Sequence, residues 1–408
     1  MQCRFCKTTL EHIFIDLQNA PASNSFLTTD QLNEPEVFYP LKVYICHRCF
    51  LVQIDEYKTS DAIFNNEYVY FSSYSTTWLK HAEAYCEMMV KRFGFDSHSR
   101  IIEVASNDGY LLQYFKKKGI PVLGVEPTAN TAEVAMARGI DCIIDFFGVR
   151  LAEALAANGT KADLLLGNNV LAHVPDIVDF VAGIKIILKP RGIATMEFPH
   201  LMQLVDQVQF DTIYHEHFSY LSFSVVKKIF EASGLELFDV QELPTHGGSL
   251  RIYAKHADDK SHPVTASVQE LLLKEERAGI ETLDYFQRFQ EKALSAKLGL
   301  LQFLISQRHA GKKVAAYGAA AKGNTLLNYC GVKRDLVSFV VDRNPHKQGK
   351  LLPGSHIPVV DEDFLKKEEP DYILILPWNL KDEIIMQLSY SRSWGVKFIV
   401  AIPELQMI

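Results

Sequence analysis

The chain has 408 residues, 48% hydrophobic and 22% charged, which is the balance of a globular protein of two or three domains and excludes a disordered or fibrous one. A formal net charge of -7 and a pI near 6.1 exclude a strongly basic chain and give no sign of a nucleic-acid or anionic-membrane partner. The first residues lack the basic and apolar regions of a signal peptide, and no apolar run approaches the roughly 18 residues that cross a bilayer, so a cytoplasmic protein is expected.

Seven cysteines without an export signal predict reduced thiols or metal ligands. In the N-terminal domain, expected over 1–75, Cys3-x-x-Cys6 and Cys46-x-x-Cys49 form two pairs 39 residues apart. Each C-x-x-C turn puts two thiolates on one side of a tight loop, and two turns complete a tetrahedral shell for Zn²⁺. Four thiolates leave no open position, so the expected zinc is structural. A thioredoxin-like redox pair would need a neighbouring βαβ unit, which the sequence does not offer. Cys86, Cys142 and Cys330 stand alone as ordinary core or surface thiols.

From about Arg100, inside a middle domain expected over 76–260, short apolar runs alternate with amphipathic stretches. Strands are predicted at 101–105, 121–125, 140–144, 163–166 and 192–196, with helices at 109–118 and 128–138. That order predicts a doubly wound α/β fold whose ligand lies at the carboxyl ends of the strands. The first turn, Glu103-Val104-Ala105-Ser106-Asn107-Asp108-Gly109, keeps only Gly109 of a G-x-G-x-x-G cradle, so a phosphate-bearing cofactor is disfavoured. Glu126, before Pro127, follows the second strand where a carboxylate accepts from ribose hydroxyls. Asp145-Phe146-Phe147 follows the third, offering an acceptor and a ring for an adenine, and Asn168-Asn169 closes the fourth. Glu103, Ser106, Asn107, Asp108, Gly109, Glu126, Pro127, Asp145, Phe146, Asn168 and Asn169 are therefore the expected cofactor residues, and acids without a phosphate cradle point to S-adenosylmethionine. The plainer alternatives are a helix-capping Glu126 and core phenylalanines.

Tyr214-His215-Glu216-His217-Phe218 packs four proton-handling side chains into five residues. It can ligate a metal, move protons, or decorate a surface loop. An extended segment would put Tyr214 and Glu216 on one face and the two histidines on the other. His173 follows the fourth strand, where both cofactor and substrate are within reach. A helical bridge of one or two amphipathic helices is expected over 261–308. The C-terminal domain, 309–408, opens with a strand at 313–318 and a small-residue turn entering a helix, where Lys322 adds charge to an anion site. Strands at 337–342 and 372–376 extend this second, smaller α/β domain. Asp342 ends the first of them, either as a ribose contact or as a turn acid before Asn344-Pro345.

Cys3-x-x-Cys6 with Cys46-x-x-Cys49, the 103–109 turn, the 214–218 cluster and His246-Gly247-Gly248-Ser249-Leu250-Arg251 together resemble the S-adenosylmethionine-dependent sugar C-methyltransferases. The resemblance covers essentially the whole chain, including Tyr317-Gly318-Ala319-Ala320-Ala321-Lys322 and Pro353-Gly354-Ser355-His356-Ile357-Pro358. It implies an α/β protein with a small zinc-binding domain, a class I Rossmann-like methyltransferase domain and a second, smaller Rossmann-like domain for the nucleotide. The implied substrate is a dTDP- or GDP-linked 4-keto-6-deoxysugar, methylated at C3 in deoxysugar biosynthesis. His217 falls where the family has its general base, with Tyr70, His173, Tyr214 and Glu216 around it. His246, Arg251, Gly318, Lys322, Asn324 and Asp342 become the expected substrate contacts. One departure is Ala105-Ser106, where the family has glycine then cysteine; both replacements are small.

The chemistry suits the residues. An imidazole of ordinary pKa near 6.5 is a fit base for a proton beside a ketone. Glu216 or a neighbour would fix its tautomer, and Tyr70 or Tyr214 would donate to the enolate oxygen. His215 is expected on a surface loop. The oligomer expected is a monomer or a weak one. Competing readings are an inactive zinc- and S-adenosylmethionine-binding scaffold, a methyltransferase for another carbon or substrate, and a zinc-ribbon RNA methyltransferase, which the acidic balance disfavours.

Overall fold

The computed structural model describes residues 1–64 and 70–408. It contains three sheets, of four, seven and six strands. The first is antiparallel and pairs His12–Ala20 with Tyr39–Ile45, Tyr39–Ile45 with Val52–Ile54, and Val52–Ile54 with Ser219–Tyr220. The last pairing was not expected: the chain leaves the middle sheet after residue 199 and returns a strand to the N-terminal one.

The seven-stranded sheet runs Leu235–Leu243, Ser249–His256, Leu188–Pro199, Ala162–Asn168, Ile101–Val104, Val122–Val125, Cys142–Ile143. Its five-strand body is parallel, and the two C-terminal strands add antiparallel. All four residues of Ile101–Val104 are buried, as a strand covered on both faces must be. The helix Thr76–Phe93 covers one face. Ser75 caps it by accepting from the Trp78 N–H at 3.2 Å, and Gly94 ends it at φ 71°. The chain winds outward from Ile101–Val104 through Val122–Val125 and Cys142–Ile143, then jumps to Ala162–Asn168 on the other side. That reversal opens a crevice at the carboxyl ends of Ile101–Val104 and Ala162–Asn168.

The third sheet runs Val359–Val360, Val340–Val341, Val314–Tyr317, Tyr372–Ile375, Lys397–Val400, Gln406–Met407, parallel except for the last strand. It has its own switch point after Tyr317. The bridge consists of two helices, Ala266–Ala278 and Phe289–His309. One apolar cluster runs from Phe14 and Leu17 through Phe286, Phe289 and Leu300 to Leu326 and Val340, so the first and third sheets share a core. Among the described residues no helix is long and apolar enough to cross a membrane.

Candidate active site

The turn after Ile101–Val104 is tight, and its residues are held from several sides. Ala105 and Asn107 both have positive φ, at 56° and 48°. At Gly109, φ is +77° and a Cβ would meet Ile140 Cδ1 at 2.5 Å, so glycine is required there. Glu126 Oε2 accepts the Asn107 N–H at 2.8 Å, while Oε1 accepts the Thr128 N–H at 2.9 Å. Glu126 thus ties the turn to Thr128, the residue before the helix Ala129–Ala137, and among the described residues caps none of that helix's own N–H groups. Asn107 Oδ1 accepts the Ser72 N–H at 2.8 Å, and Ser73 donates to Asp108. Ser106 is fully buried against Cys142 Sγ at 3.5 Å. Pro127 lies between these anchors.

Glu103 belongs to the strand that leads into this turn. It sits inside the strand with no exposure, and burial pushes its carboxyl well above the usual range. It is a buried acid beside Tyr110, and both of its carboxyl oxygens lack a hydrogen-bond partner among the described residues. Asp145 is bound by Arg150 through both oxygens, at 2.7 and 2.6 Å, and Phe146 is 40% exposed beside it. Phe147 packs on Phe180 as a core ring. Around the crevice, Asp108 Oδ1, Asn168 Nδ2 and Asn169 Oδ1 are buried without a hydrogen-bond partner among the described residues. Buried polar atoms are normally satisfied, so three orphans around one crevice mark a place for a polar ligand.

The 214–218 segment is a turn, not an extended strand. The His217 N–H bonds the Tyr214 carbonyl at 2.9 Å, which brings Tyr214 and His217 to the same side. Tyr214 Oη lies 2.8 Å from His217 Nε2, and Thr212 O lies 2.9 Å from His217 Nδ1. A carbonyl only accepts, so Nδ1 carries the proton and Nε2 holds the lone pair that the phenol caps. The backbone of Thr212, rather than Glu216, fixes the tautomer. Burial, with the neighbouring His173 ring and the charge of Lys322, holds His217 well below its usual pKa, so it is neutral at pH 7. Burial and the Glu216 charge push the Tyr214 phenol up.

His173 stands edge-on to His217 at 4.5 Å between centroids, and burial lowers it to about 4. It bonds the backbone of Glu216, and its Nδ1 is buried with no partner among the described residues. Glu216 accepts from Asn24 Nδ2 at 2.7 Å, and burial raises it to about 7. His215 is 4% exposed, with Nε2 3.2 Å from Pro40 O and its ring against Tyr39 and Tyr57. It is a buried packing residue, not a surface one. Tyr70 is 44% exposed and its phenol is in electrostatic reach of Tyr214 and Tyr110, at the mouth of this pocket.

His246 reaches the pocket from the loop before Ser249–His256. Its Nε2 lies 2.9 Å from Asn169 Nδ2, its ring meets Trp78, and its backbone has φ 56°. Arg251 does not reach out to a ligand. Its guanidinium is consumed by Glu197 at 2.7 Å, with His81 on the same carboxylate oxygen at 2.8 Å.

In the third sheet, Gly318 has φ +89° and leaves no room for a Cβ beside Pro377. Asp342 is spent on backbone, accepting from Ala319 at 2.7 Å and Asn344 at 2.8 Å, which realises its turn-acid alternative. Asn324 donates to the Ser23 carbonyl at 2.5 Å and so secures the N-terminal segment. Lys322 Nζ lies 2.7 Å from Asn379 Oδ1 and 4.8 Å over the Trp378 ring. Its charge acts on His217, His246 and Asp211, so it faces the pocket. Asp211, raised to about 6 by burial, accepts from Trp378 Nε1 at 2.7 Å.

The four N-terminal cysteines converge, with all sulfurs within 4.8 Å of one another. Cys3–Cys49 and Cys6–Cys46 are 3.5 and 3.4 Å apart. Those distances exceed the roughly 2.05 Å of a disulfide. They approach the edge, about 3.8 Å, of a tetrahedron of sulfurs 2.3 Å from an ion.

Asn24, Trp78, His81, Tyr110, Thr212, Asp211 and Trp378 were not singled out from sequence. Only Tyr110, one residue past the cofactor turn, and Asp211 and Thr212, just ahead of the 214–218 cluster, carried a local signal.

Three stretches match family models: 3–64 a candidate zinc binding domain, 78–240 a methyltransferase domain, and 244–403 a C-methyltransferase C-terminal domain. The C-methyltransferase NovU of Streptomyces niveus is 33% identical over 407 residues, spanning all of this chain and 96% of that protein. A ubiquinone biosynthesis O-methyltransferase of Chelativorans sp. is 32% identical over 95 residues, 23% of this chain and 38% of that one. Among solved structures, the PH0226 protein of Pyrococcus horikoshii aligns over 46% of this chain and 95% of its own, at 13% identity and a TM-score of 0.39.

Proposed function

The chain belongs to the C-methyltransferases, and from that premise we propose that it methylates C3 of a nucleotide-linked 4-keto-6-deoxysugar, with S-adenosylmethionine as donor, in deoxysugar biosynthesis. The observation that carries this reading is the buried, neutral His217 imidazole, its Nε2 lone pair 2.8 Å from the Tyr214 phenol. A carbon must become nucleophilic before it can be methylated, and a buried neutral base beside a hydroxyl donor is what enolisation needs.

In this reading His217 Nε2 takes the C3 proton. For that the Tyr214 hydroxyl first turns from Nε2 to the sugar's C4 oxygen, which frees the lone pair and places the donor where negative charge then grows. The carbonyl of Thr212 steadies the imidazolium through Nδ1–H. His173 Nδ1, an acceptor with no partner among the described residues, takes a sugar hydroxyl, and Glu216 takes another. Lys322 supplies positive charge on the side of the third sheet, where the turn 318–320 leads into the helix Ala321–Cys330 and suits a diphosphate.

S-adenosylmethionine, when bound, supplies an electrophilic methyl group on a sulfonium. The turn 106–109, Glu126, Asp145, Phe146 and Asn168 would hold it, and the orphaned atoms of Asp108, Asn168 and Asn169 fit such a polar guest. The four cysteines fit Zn²⁺ in a structural role.

The test is mass spectrometry of the protein incubated with S-adenosylmethionine and either dTDP- or GDP-4-keto-6-deoxyhexose, where a one-carbon mass gain on the sugar is expected. His217→Ala should lower C3 hydrogen–deuterium exchange by about 10²- to 10⁴-fold while leaving S-adenosylmethionine affinity intact. Exchange at the wild-type rate in that variant would remove His217 as the base.

A further inference from the structure

The strands His12–Ala20 and Tyr39–Ile45 form an antiparallel ribbon in which His12 faces Ile45 and Ala20 faces Tyr39. Cys6 precedes the first strand and Cys46 follows the second, so the sulfur cluster closes one end of the ribbon. The segment 21–38 leaves from the other end, about 30 Å away at roughly 3.3 Å per residue.

That segment does not stay on its own sheet. The Ser23 carbonyl accepts from Asn324 at 2.5 Å, Leu27 bridges to Leu351, and Glu36 accepts from the Gly354 N–H at 2.7 Å. These contacts already dock it on the third sheet's domain. Asn24 does something different: between these anchors its Nδ2 donates to Glu216 Oε1 at 2.7 Å, in the turn that carries His217.

We propose that Asn24 is a positioning residue for the reaction, holding the Glu216 carboxylate toward the sugar so that the N-terminal ribbon supplies part of the active site. This rests on the reading of the 214–217 turn as the sugar pocket. An amide N–H₂ only donates, so it fixes one carboxylate oxygen and leaves the other lone pairs to accept from a sugar hydroxyl. The groups facing Glu216 come from every side. Lys58 approaches from the N-terminal domain and Lys347 from the third sheet's domain; Tyr214 shares its turn, and His173 bonds its backbone. Burial raises Glu216 to about 7, and Asn24 gives the largest pull back down. Activity that needs the ionised carboxylate therefore has an acid limb that Asn24 sets.

The experiment compares wild type, Asn24→Leu and Asn24→Asp in full-length enzyme on the dTDP- and GDP-4-keto-6-deoxyhexoses, across pH. Loss of a hydrogen bond to a charged group predicts a fall in kcat of about tenfold to a hundredfold. The acid limb near neutrality should move to higher pH in Asn24→Leu. In Asn24→Asp, which keeps the shape but sets carboxylate against carboxylate, it should move further. S-adenosylmethionine affinity and bound zinc should be unchanged. A normal kcat and an unmoved limb in Asn24→Leu would overturn the proposal, as would a loss of activity that only follows a loss of thermal stability. A wild type inactive on both sugars sinks the sugar reading, and this proposal with it. An active wild type with an indifferent Asn24→Leu sinks this proposal alone.

Discussion

Tyr214 donates its phenolic hydrogen to Nε2 of His217 at 2.8 Å, and the same ring is anchored at Nδ1 by the carbonyl of Thr212 at 2.9 Å. In the proposed mechanism the lone pair that receives a proton from carbon is thus occupied, at rest, by the group that would then donate to the enolate. That mechanism therefore requires substrate to separate the pair.

Tyr214→Phe tests that pairing. Without the phenol, Nε2 is freed, and the neutral imidazole loses a bond that favours it, so the His217 pKa rises toward normal. If the hydroxyl only guards the base, exchange at C3 should hold or quicken. If it donates to the enolate, kcat should drop by about 10²- to 10³-fold, the usual cost of one oxyanion donor. We expect the drop, measured by steady-state methyl transfer alongside C3 exchange in deuterium oxide.

How far the sequence alone carries this site depends on the range of each contact. The four cysteines and the cofactor turn are encoded by spacing over a few residues, and they fall where spacing puts them. Glu103 is legible as a strand residue, inside both the predicted 101–105 and the observed Ile101–Val104, but its complete burial depends on the elements packed over both faces of the sheet. By residue type alone His215 and His217 look equivalent, and only the family resemblance separates them in the sequence. What separates them in the structure is that one ring meets Pro40 and Tyr57 and the other meets Thr212 and Tyr214. Asn24 meets Glu216, and Trp378 meets Asp211, across 192 and 167 residues, and no local periodicity announces such pairs. Ser219–Tyr220, two residues long, joins the first sheet only because Val52–Ile54 is there to receive it.

Glu197 gives a pH-dependent prediction. Burial pushes its carboxyl up, but His81, Arg251 and Thr245 outweigh that and hold it near 2, below its ordinary 4.5. A folded pKa below the unfolded one means that the stabilisation is fully present above about pH 4.5 and is lost as pH falls toward 2. Glu197→Gln should therefore cost about 3–5 kcal/mol at neutral pH, because Arg251, 5% exposed, is left without its counter-charge. The gap between wild type and variant in urea melts should narrow at about pH 3. An equal gap at both pH values would assign the cost to lost packing or geometry rather than to charge.

Removing the metal tests the ribbon. Four converging sulfurs tie the beginning of His12–Ala20 to the end of Tyr39–Ile45, and Val52–Ile54, just past Cys49, pairs with Ser219–Tyr220 next to His217. Metal binding at such a site is folding free energy, of order 10 kcal/mol in isolated zinc domains. Here the ribbon's apolar face also shares the core with Phe286 and Phe289, so apoprotein should keep its fold while losing stability. Cys46→Ser is expected to purify with less than stoichiometric zinc, to melt several degrees lower, and to be cleaved faster by protease within the first 60 residues. Its S-adenosylmethionine affinity should stay near wild type, since the crevice at 105–109 belongs to another sheet. Wild-type protein that elemental analysis shows to be free of zinc, or a Cys46→Ser variant with unchanged melting and proteolysis, would mean that the sulfurs hold nothing.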